Sequence, residues 1–239
     1  MGNIIDGKQL SLRLKGEMAE EVKALEAKDG RVPSLAVILV GENPASQSYV
    51  RGKIKAAGEV GIKSELITMP ADTTEETLLA EIERLNADEL TDGVLVQLPL
   101  PKHIDEERVI DAIALEKDVD GFHPANVANL WLGKPCIVPC TPKGVMQMIA
   151  ECGFDVAGKK AVVVGRSNIV GKPMAQLMMQ KQYGDATVTV CHSRSKTLKE
   201  ECLNADIIIA ALGQPLFVCH CFLFHTKLNL KFRVFFQIL

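Results

Sequence analysis

A handful of polar side chains stand where a folded chain can put them to chemical use. Tyr49 and Lys53 are four residues apart in "ASQSYVRGKIKAAGEVG", so a helix places them on one face. A solvated lysine next to a packing tyrosine gives the same spacing. Gln97 interrupts the apolar run "VLVQLPLP" just before Pro99 and Pro101 end it. A polar residue at the carboxyl end of a parallel strand points toward the ligand crevice, and a buried amide needs partners, which a neighbouring loop can also supply. Asp118 and Asp120 flank Val119 in "EKDVDGFHPANV". They read as a turn device or as part of a metal site, but no third oxygen donor stands at EF-hand spacing and no metal is expected.

The stretch "AVVVGRSNIVGKPMAQLMM" is the other candidate. A short apolar strand, a glycine turn and a helix together suggest phosphate binding at the helix N-terminus. The loop misses two known patterns. Five residues separate Gly165 from Gly171, where a P-loop has four, and Pro173 stands where the magnesium-binding hydroxyl belongs. Arg166 and Ser167 follow the first glycine, which excludes G-x-G-x-x-G. Context has to decide which phosphate is meant.

The elements that must position these groups alternate. Residues 10–25 carry apolar side chains at helical spacing. Strand "SLAVILVG", helix "ASQSYVRGKIKAAGEVG", strand "IKSELITM", helix "TTEETLLAEIERLNAD", strand "DGVLVQLPLP" and short helix "EERVIDAI" follow. Such alternation predicts βαβ units and mostly parallel sheets. A Thr- and Pro-initiated helix, "VPCTPKGVMQMIAECG", crosses into a second region. There the pattern restarts with strand 161–164, helix 171–182, strand "ATVTVCHS", helix "TLKEECLN" and strand "ADIIIAALG". The expected organisation is α/β in two domains, residues 1–140 and 141–218, the second a Rossmann-like doubly wound fold, with an atypical tail at 219–239.

The βαβαβ array makes the glycine turn a mononucleotide site at a first strand-to-helix junction. NAD-binding folds place an acid at the end of the second strand for the ribose hydroxyls. Here that strand ends in His192, Ser193 and Arg194, and no acid follows until Glu200. Ser and Arg donors suit a 2′-phosphate, and Arg166 adds a second cation, so NADP is expected rather than NAD; solvated loop arginines are the plainer alternative. The formal charge of −3 over 239 residues gives no electrostatic case for nucleic acid. No basic stretch followed by an apolar core opens the chain, and Gly2 leads straight into a helix rather than marking an acylation site. The seven scattered cysteines contain no C-x-x-C and read as reduced cytosolic thiols.

Taken together, "YVRGK", "VQLPLP", "DVDGFHP", "PCTPKG" and "GRSNIVGKPMA" resemble the bifunctional methylenetetrahydrofolate dehydrogenase/cyclohydrolase family in its bacterial single-polypeptide form, in the family's order, from about residue 4 to 218. The resemblance implies oxidation of 5,10-methylenetetrahydrofolate with NADP, then hydrolysis of the methenyl product to 10-formyltetrahydrofolate, in one-carbon metabolism. It implies a cytoplasmic homodimer without membrane or nucleic-acid partners. Lys53 matches the family's catalytic lysine, Tyr49 the residue stacked on the folate, Gln97 the amide that orients the lysine, and Asp120 the carboxylate that binds the pterin. Val50, Arg51, Gly52, Val96 and Leu98 join them in the implied substrate site. Gly165, Arg166, Ser167, Ile169, Gly171, Ser193 and Arg194 match the cofactor loop and its 2′-phosphate contacts. Rival functions are a nucleotide-binding module alone and a P-loop phosphotransferase.

After "ALGQPLFV" the resemblance stops. Five of the eight phenylalanines fall between Phe222 and Phe236, no Asp or Glu follows Asp206, and no Gly follows Gly213. This tail shows no element signals. His220, His225, Lys227, Lys231 and Arg233 break every apolar run well short of the roughly 20 residues of a membrane helix. The expectation is a shifted reading frame or a truncated gene model that leaves the second domain incomplete and the chain poorly soluble or partly unfolded, with little or no turnover.

Overall fold

Two apolar stretches, Ser34–Val40 (β1) and Lys160–Val164 (β4), are the central strands of two separate parallel sheets in the computed structural model, which describes residues 5–213 and the backbone of 234–237. Gly2 and most of the tail lie outside the described residues. The chain forms two compact units, Asp6–Ala125 and, together, Met1–Ile5 with Asn126–Leu239.

In the first unit α1 (Gly7–Asp29) starts where the Asp6 carboxylate accepts from the Lys8 and Gln9 amides and stops at Gly30, whose φ of 72° is the left-handed stop of a helix. Asn43 caps α2 (Pro44–Glu59) in the same way. Next come β2 (Lys63–Met69), α3 (Glu75–Ala87) capped by Thr74, β3 (Gly93–Val96) and α4 (Glu106–Ala112) capped by Asp105. A single 3-10 turn, Leu115–Lys117, leads to the Asp118–Asp120 segment. The sheet order is β2-β1-β3, all parallel. Side chains alternate across a strand. Ala36, Ile38, Val40, Val94 and Val96 pack with Leu78, Ile82, Leu85 and Val109 of α3 and α4. Val37, Leu39 and Leu95 pack with Val50 and Ile54 of α2 on the opposite face. Each such fully buried side chain contributes roughly 1.5–3 kcal/mol against the cost of ordering the chain.

The second unit contains most of α5 (Pro124–Trp131), then α6 (Cys140–Glu151), β4, α7 (Gly171–Met179), β5 (Thr187–Cys191), α8 (Leu198–Asn204), β6 (Ile207–Ala210) and β7 (Val234–Gln237). Its order is β5-β4-β6-β7, all parallel. Ala161, Val163, Ile207 and Ile209 face α6 and α7; Val162, Val164 and Ile208 pack with Cys202 and Leu198 of α8. Helices on both faces make it doubly wound, as expected. The chain crosses from β5 over β4 to β6, so the winding reverses between β4 and β6, and the crevice at that reversal is where ligands bind in such sheets. The first unit winds in the same order, reversing between β1 and β3.

The tail, which shows no element signals in sequence, contributes one strand. β7 runs parallel to β6, with Ile207 opposite Val234 and Ala210 opposite Gln237, so the sheet has a fourth strand. The four residues "VFFQ" do not alternate apolar and polar, so they carried no periodic signal. Among the described residues no helix is long and apolar enough to cross a membrane.

Candidate active site

Every residue of the implied substrate site lies in the first unit. Val50, with a relative exposure of 1%, and Ile54 anchor α2 on Val37, Leu39 and Leu95. That rotation leaves Tyr49 exposed and Lys53 half-buried along one flank. Ala45, Ser48, Gly52 and Ala56 surround the pair with little bulk, leaving an open concavity of about 590 Å³. Arg51 and Gly52 are exposed, whereas Val50 and Val96 are core residues. Lys53 makes no ion pair or hydrogen bond with the described residues.

Gln97 continues the ladder one step beyond β3, its amide donating to Ile38 O at 2.9 Å. Leu98 packs with the face that α3 and α4 cover. By alternation Gln97 shares the α2 face with Leu95. Its Nε2 donates to Leu98 O at 2.7 Å. Its Oε1 is buried and has no partner among the described residues. A buried orphan acceptor costs about 1–3 kcal/mol, which an incoming donor recovers. The Leu98–Pro99 peptide is cis.

The two aspartates separate cleanly. Asp118 is buried, and its carboxylate accepts from the amides of Gly121 at 3.0 Å and His123 at 2.9 Å. It is the turn device. Asp120 makes no hydrogen bond among the described residues. Burial pushes its carboxyl above the usual carboxylate range, opposed by the charge of Lys53 and reinforced by that of Asp118. Lys53 and Asp120 therefore feel one another across the site. No group of three or more His, Cys, Asp or Glu able to hold a metal occurs among the described residues.

The cofactor candidates lie in the second unit, at its own reversal point. Gly165 closes β4 with a φ of 123°. A Cβ there would stand 2.2 Å from Ala211 O, just past the end of β6, and one on Gly171 would stand 2.4 Å from Gly165 O. Both positions exclude any side chain. The result is a bare backbone cradle leading into the N-terminus of α7, suited to phosphate. The Ser167 hydroxyl caps that turn, accepting from the amides of Val170 at 3.2 Å and Gly171 at 3.3 Å, so only its proton is left to donate to a ligand. Ile169 lies exposed on the same loop.

Gly165 N donates to Cys191 O at 2.8 Å, so the loops leaving β4 and β5 start side by side. The β5 loop is a tight turn: His192 N donates to Ser195 Oγ at 2.9 Å and Ser195 N to His192 O at 2.8 Å. It presents Ser193 and Arg194 to solvent beside the exposed Arg166. Neither arginine is ion-paired among the described residues. Sequence reasoning passed over Gly93 and Lys117, which buttress the Asp120 segment. Gly93 opens an apolar strand, where a glycine marks a close backbone approach, and that was the available signal.

Two family models cover most of the chain: the tetrahydrofolate dehydrogenase/cyclohydrolase catalytic domain over residues 5–120, and the NAD(P)-binding domain of the same enzymes over residues 139–225. The chain belongs to this family. It is 58% identical to the bifunctional protein FolD of Phocaeicola vulgatus over 216 residues, 90% of this chain and 74% of the relative. The crystal structure of the bifunctional FolD enzyme of Campylobacter jejuni superposes with a TM-score of 0.84 at 47% identity, covering 88% of this chain and 74% of that one. The Trypanosoma brucei FolD, solved with NADP and an inhibitor, gives 0.85 at 39% identity, covering 90% and 73%.

Proposed function

We propose that this family member oxidises 5,10-methylenetetrahydrofolate with NADP and hydrolyses the methenyl product to 10-formyltetrahydrofolate. The first unit acts as the folate and catalytic domain, the second as the cofactor domain. One observation carries the reading. In a chain of this family, a desolvated Asp120 carboxylate feels the charge of Lys53, and the first unit also holds a buried Gln97 Oε1 with no partner among the described residues.

The roles follow from the chemistry of each group. Tyr49, exposed beside Lys53, offers its ring to the flat folate. Asp120 accepts from the pterin's amino group and ring N–H, which replaces the hydration its carboxylate has lost. Lys53 takes a proton from the water that attacks the methenyl carbon and returns one to the ring nitrogen as the carbon–nitrogen bond opens. Gln97 Oε1 accepts from the lysine and aims it. The cradle at Gly165 and Gly171 fits a pyrophosphate, and Arg166, Ser193 and Arg194 fit a 2′-phosphate. Bound NADP supplies the hydride acceptor, and the protein's part in that step is positioning. A cytoplasmic homodimer with no nucleic-acid partner completes the proposal.

The test is to add 5,10-methylenetetrahydrofolate and NADP to the full chain and follow NADPH formation, then decay of the methenyl absorbance. NADPH formation followed by that decay supports both activities. A folded chain that binds NADP yet neither reduces it nor hydrolyses added methenyltetrahydrofolate leaves only the nucleotide-binding module.

A further inference from the structure

Asp120 makes no hydrogen bond of its own among the described residues, so whatever fixes its carboxylate acts through its neighbours. Four contacts do so. Lys117 Nζ donates to Leu85 O at 2.8 Å, Asn86 O at 2.9 Å and Asp88 O at 2.8 Å. This fills the carbonyls left open at the end of α3 and pins the start of the segment. The Asp118 backbone forms a parallel bridge with Val94. The bridge is isolated, and the chain bends at Val119 and Asp120 directly after it. Val119 packs against the cluster of Val37, Leu39, Val50 and Leu95, with one methyl over Gly93. A Cβ on Gly93 would stand 2.4 Å from Val119 Cγ1, closer than any real contact. On the far side, the buried Asp118 carboxylate ties the amides of Gly121 and His123 and closes the turn around Asp120.

We propose that Gly93 and Asp118 are positioning residues for Asp120: the missing side chain of Gly93 seats Val119, the Asp118 carboxylate closes the turn, and together they aim the Asp120 carboxylate at the folate. This rests on Asp120 as the folate-binding carboxylate. Gly93→Ala lifts Val119 and swings Asp120 out of line. A displacement of about 1 Å at such a site costs up to roughly 100-fold. Asp118→Asn keeps the shape but leaves only one oxygen for two amides.

The experiment uses the full chain, calorimetry with tetrahydrofolate as probe, and NADP as the control ligand. Gly93→Ala should weaken tetrahydrofolate binding by at least about tenfold and leave NADP binding within about twofold. The double variant Gly93→Ala/Val119→Ala removes the methyls that the new Cβ meets and should recover most of the loss. A pH series adds a readout that general destabilisation does not move. The groups facing Asp120 are Lys53 on α2 and Asp118 on its own loop. Gly93→Ala changes neither charge, so any shift reports position alone. With Asp120 exposed to water, the acid-side midpoint of folate affinity should move to lower pH. Asp118→Asn, close in shape to the native residue, carries the test if Gly93→Ala does not fold. Unchanged folate affinity in the folded variants, or a parallel loss of NADP affinity, overturns the inference. Native protein that binds NADP but no tetrahydrofolate overturns the functional reading, and this inference with it.

Discussion

Gly165→Ala tests the cofactor cradle most directly. A φ of 123° is a conformation that side-chain-bearing residues rarely hold, and forcing one into it costs on the order of 1–3 kcal/mol. The new Cβ also meets Ala211 O at 2.2 Å. Ala211 cannot simply retreat, because its amide donates to Val164 O at 2.8 Å while Gly165 N holds Cys191 O at 2.8 Å. The turn is clamped from both neighbouring strands, and overpacking of this kind adds about 1–3 kcal/mol. The sum, about 2–6 kcal/mol, is a large part of the 5–15 kcal/mol that holds a domain together. For a unit of this size it lowers the melting temperature by roughly 10–20 °C. The control is Gly153→Ala, in the same unit: its φ is 64° and nothing lies within 4 Å of the added carbon. It loses only about 1 kcal/mol, from conformation alone. Calorimetric melting of the two variants beside the parent separates strain from collision. If Gly165→Ala melts within a few degrees of Gly153→Ala, the cradle is not closed as described. NADP affinity should fall in Gly165→Ala even at temperatures where it is fully folded.

Lys53→Met should abolish methenyl hydrolysis and spare NADP affinity, because the cofactor residues belong to the other unit; a folded variant that still hydrolyses the methenyl compound removes the lysine from its role. NADP should bind more tightly than NAD, with each charge-assisted contact from Arg166, Ser193 or Arg194 contributing about 1.5–3 kcal/mol; equal calorimetric affinities for the two would refute the strand-end argument. Asp120→Asn should stabilise the protein at neutral pH while weakening folate binding. The folded state holds the Asp120 proton more tightly than the unfolded chain does, so its ionisation costs stability as pH rises through the folded value. The melting advantage of Asp120→Asn should therefore be full above that value and vanish below the ordinary carboxylate range near about pH 4. An advantage independent of pH would show that the aspartate is not held in a desolvated position.

Much of this arrangement was legible from residue patterns, because parallel βα units combine apolar strands with capped helices. β1, β3, β4 and β6 stood out as short apolar runs, and Asn43 and Thr74 cap the helices that follow β1 and β2. α5 was not foreseen, although Pro124 supplies a helix start and Val127, Leu130 and Trp131 share a face. Its sequence sat inside a stretch that the two aspartates had marked as a turn. Spacing alone could not separate Asp118 from Asp120. What separates them is which carboxylate finds backbone amides, and those amides come from the turn that the chain makes afterward. β7 was hidden for another reason: it is specified by the open edge of β6, a partner distant in sequence, and local pattern carries no record of it.

The brevity of β3 restricts how the gene can change length. Four residues carry the chain from Gly93 to Val96, and the odd and even positions face different helices. Inserting or deleting one codon there would exchange the two sets. The Gln97 amide would be driven among Leu78, Ile82 and Leu85, and a valine would take its place on the α2 face. A two-residue change keeps the parity but slides the amide along the sheet, away from Ile38. Neither error can be absorbed locally, so viable length variation in this part of the gene should be confined to the loop beyond Pro99.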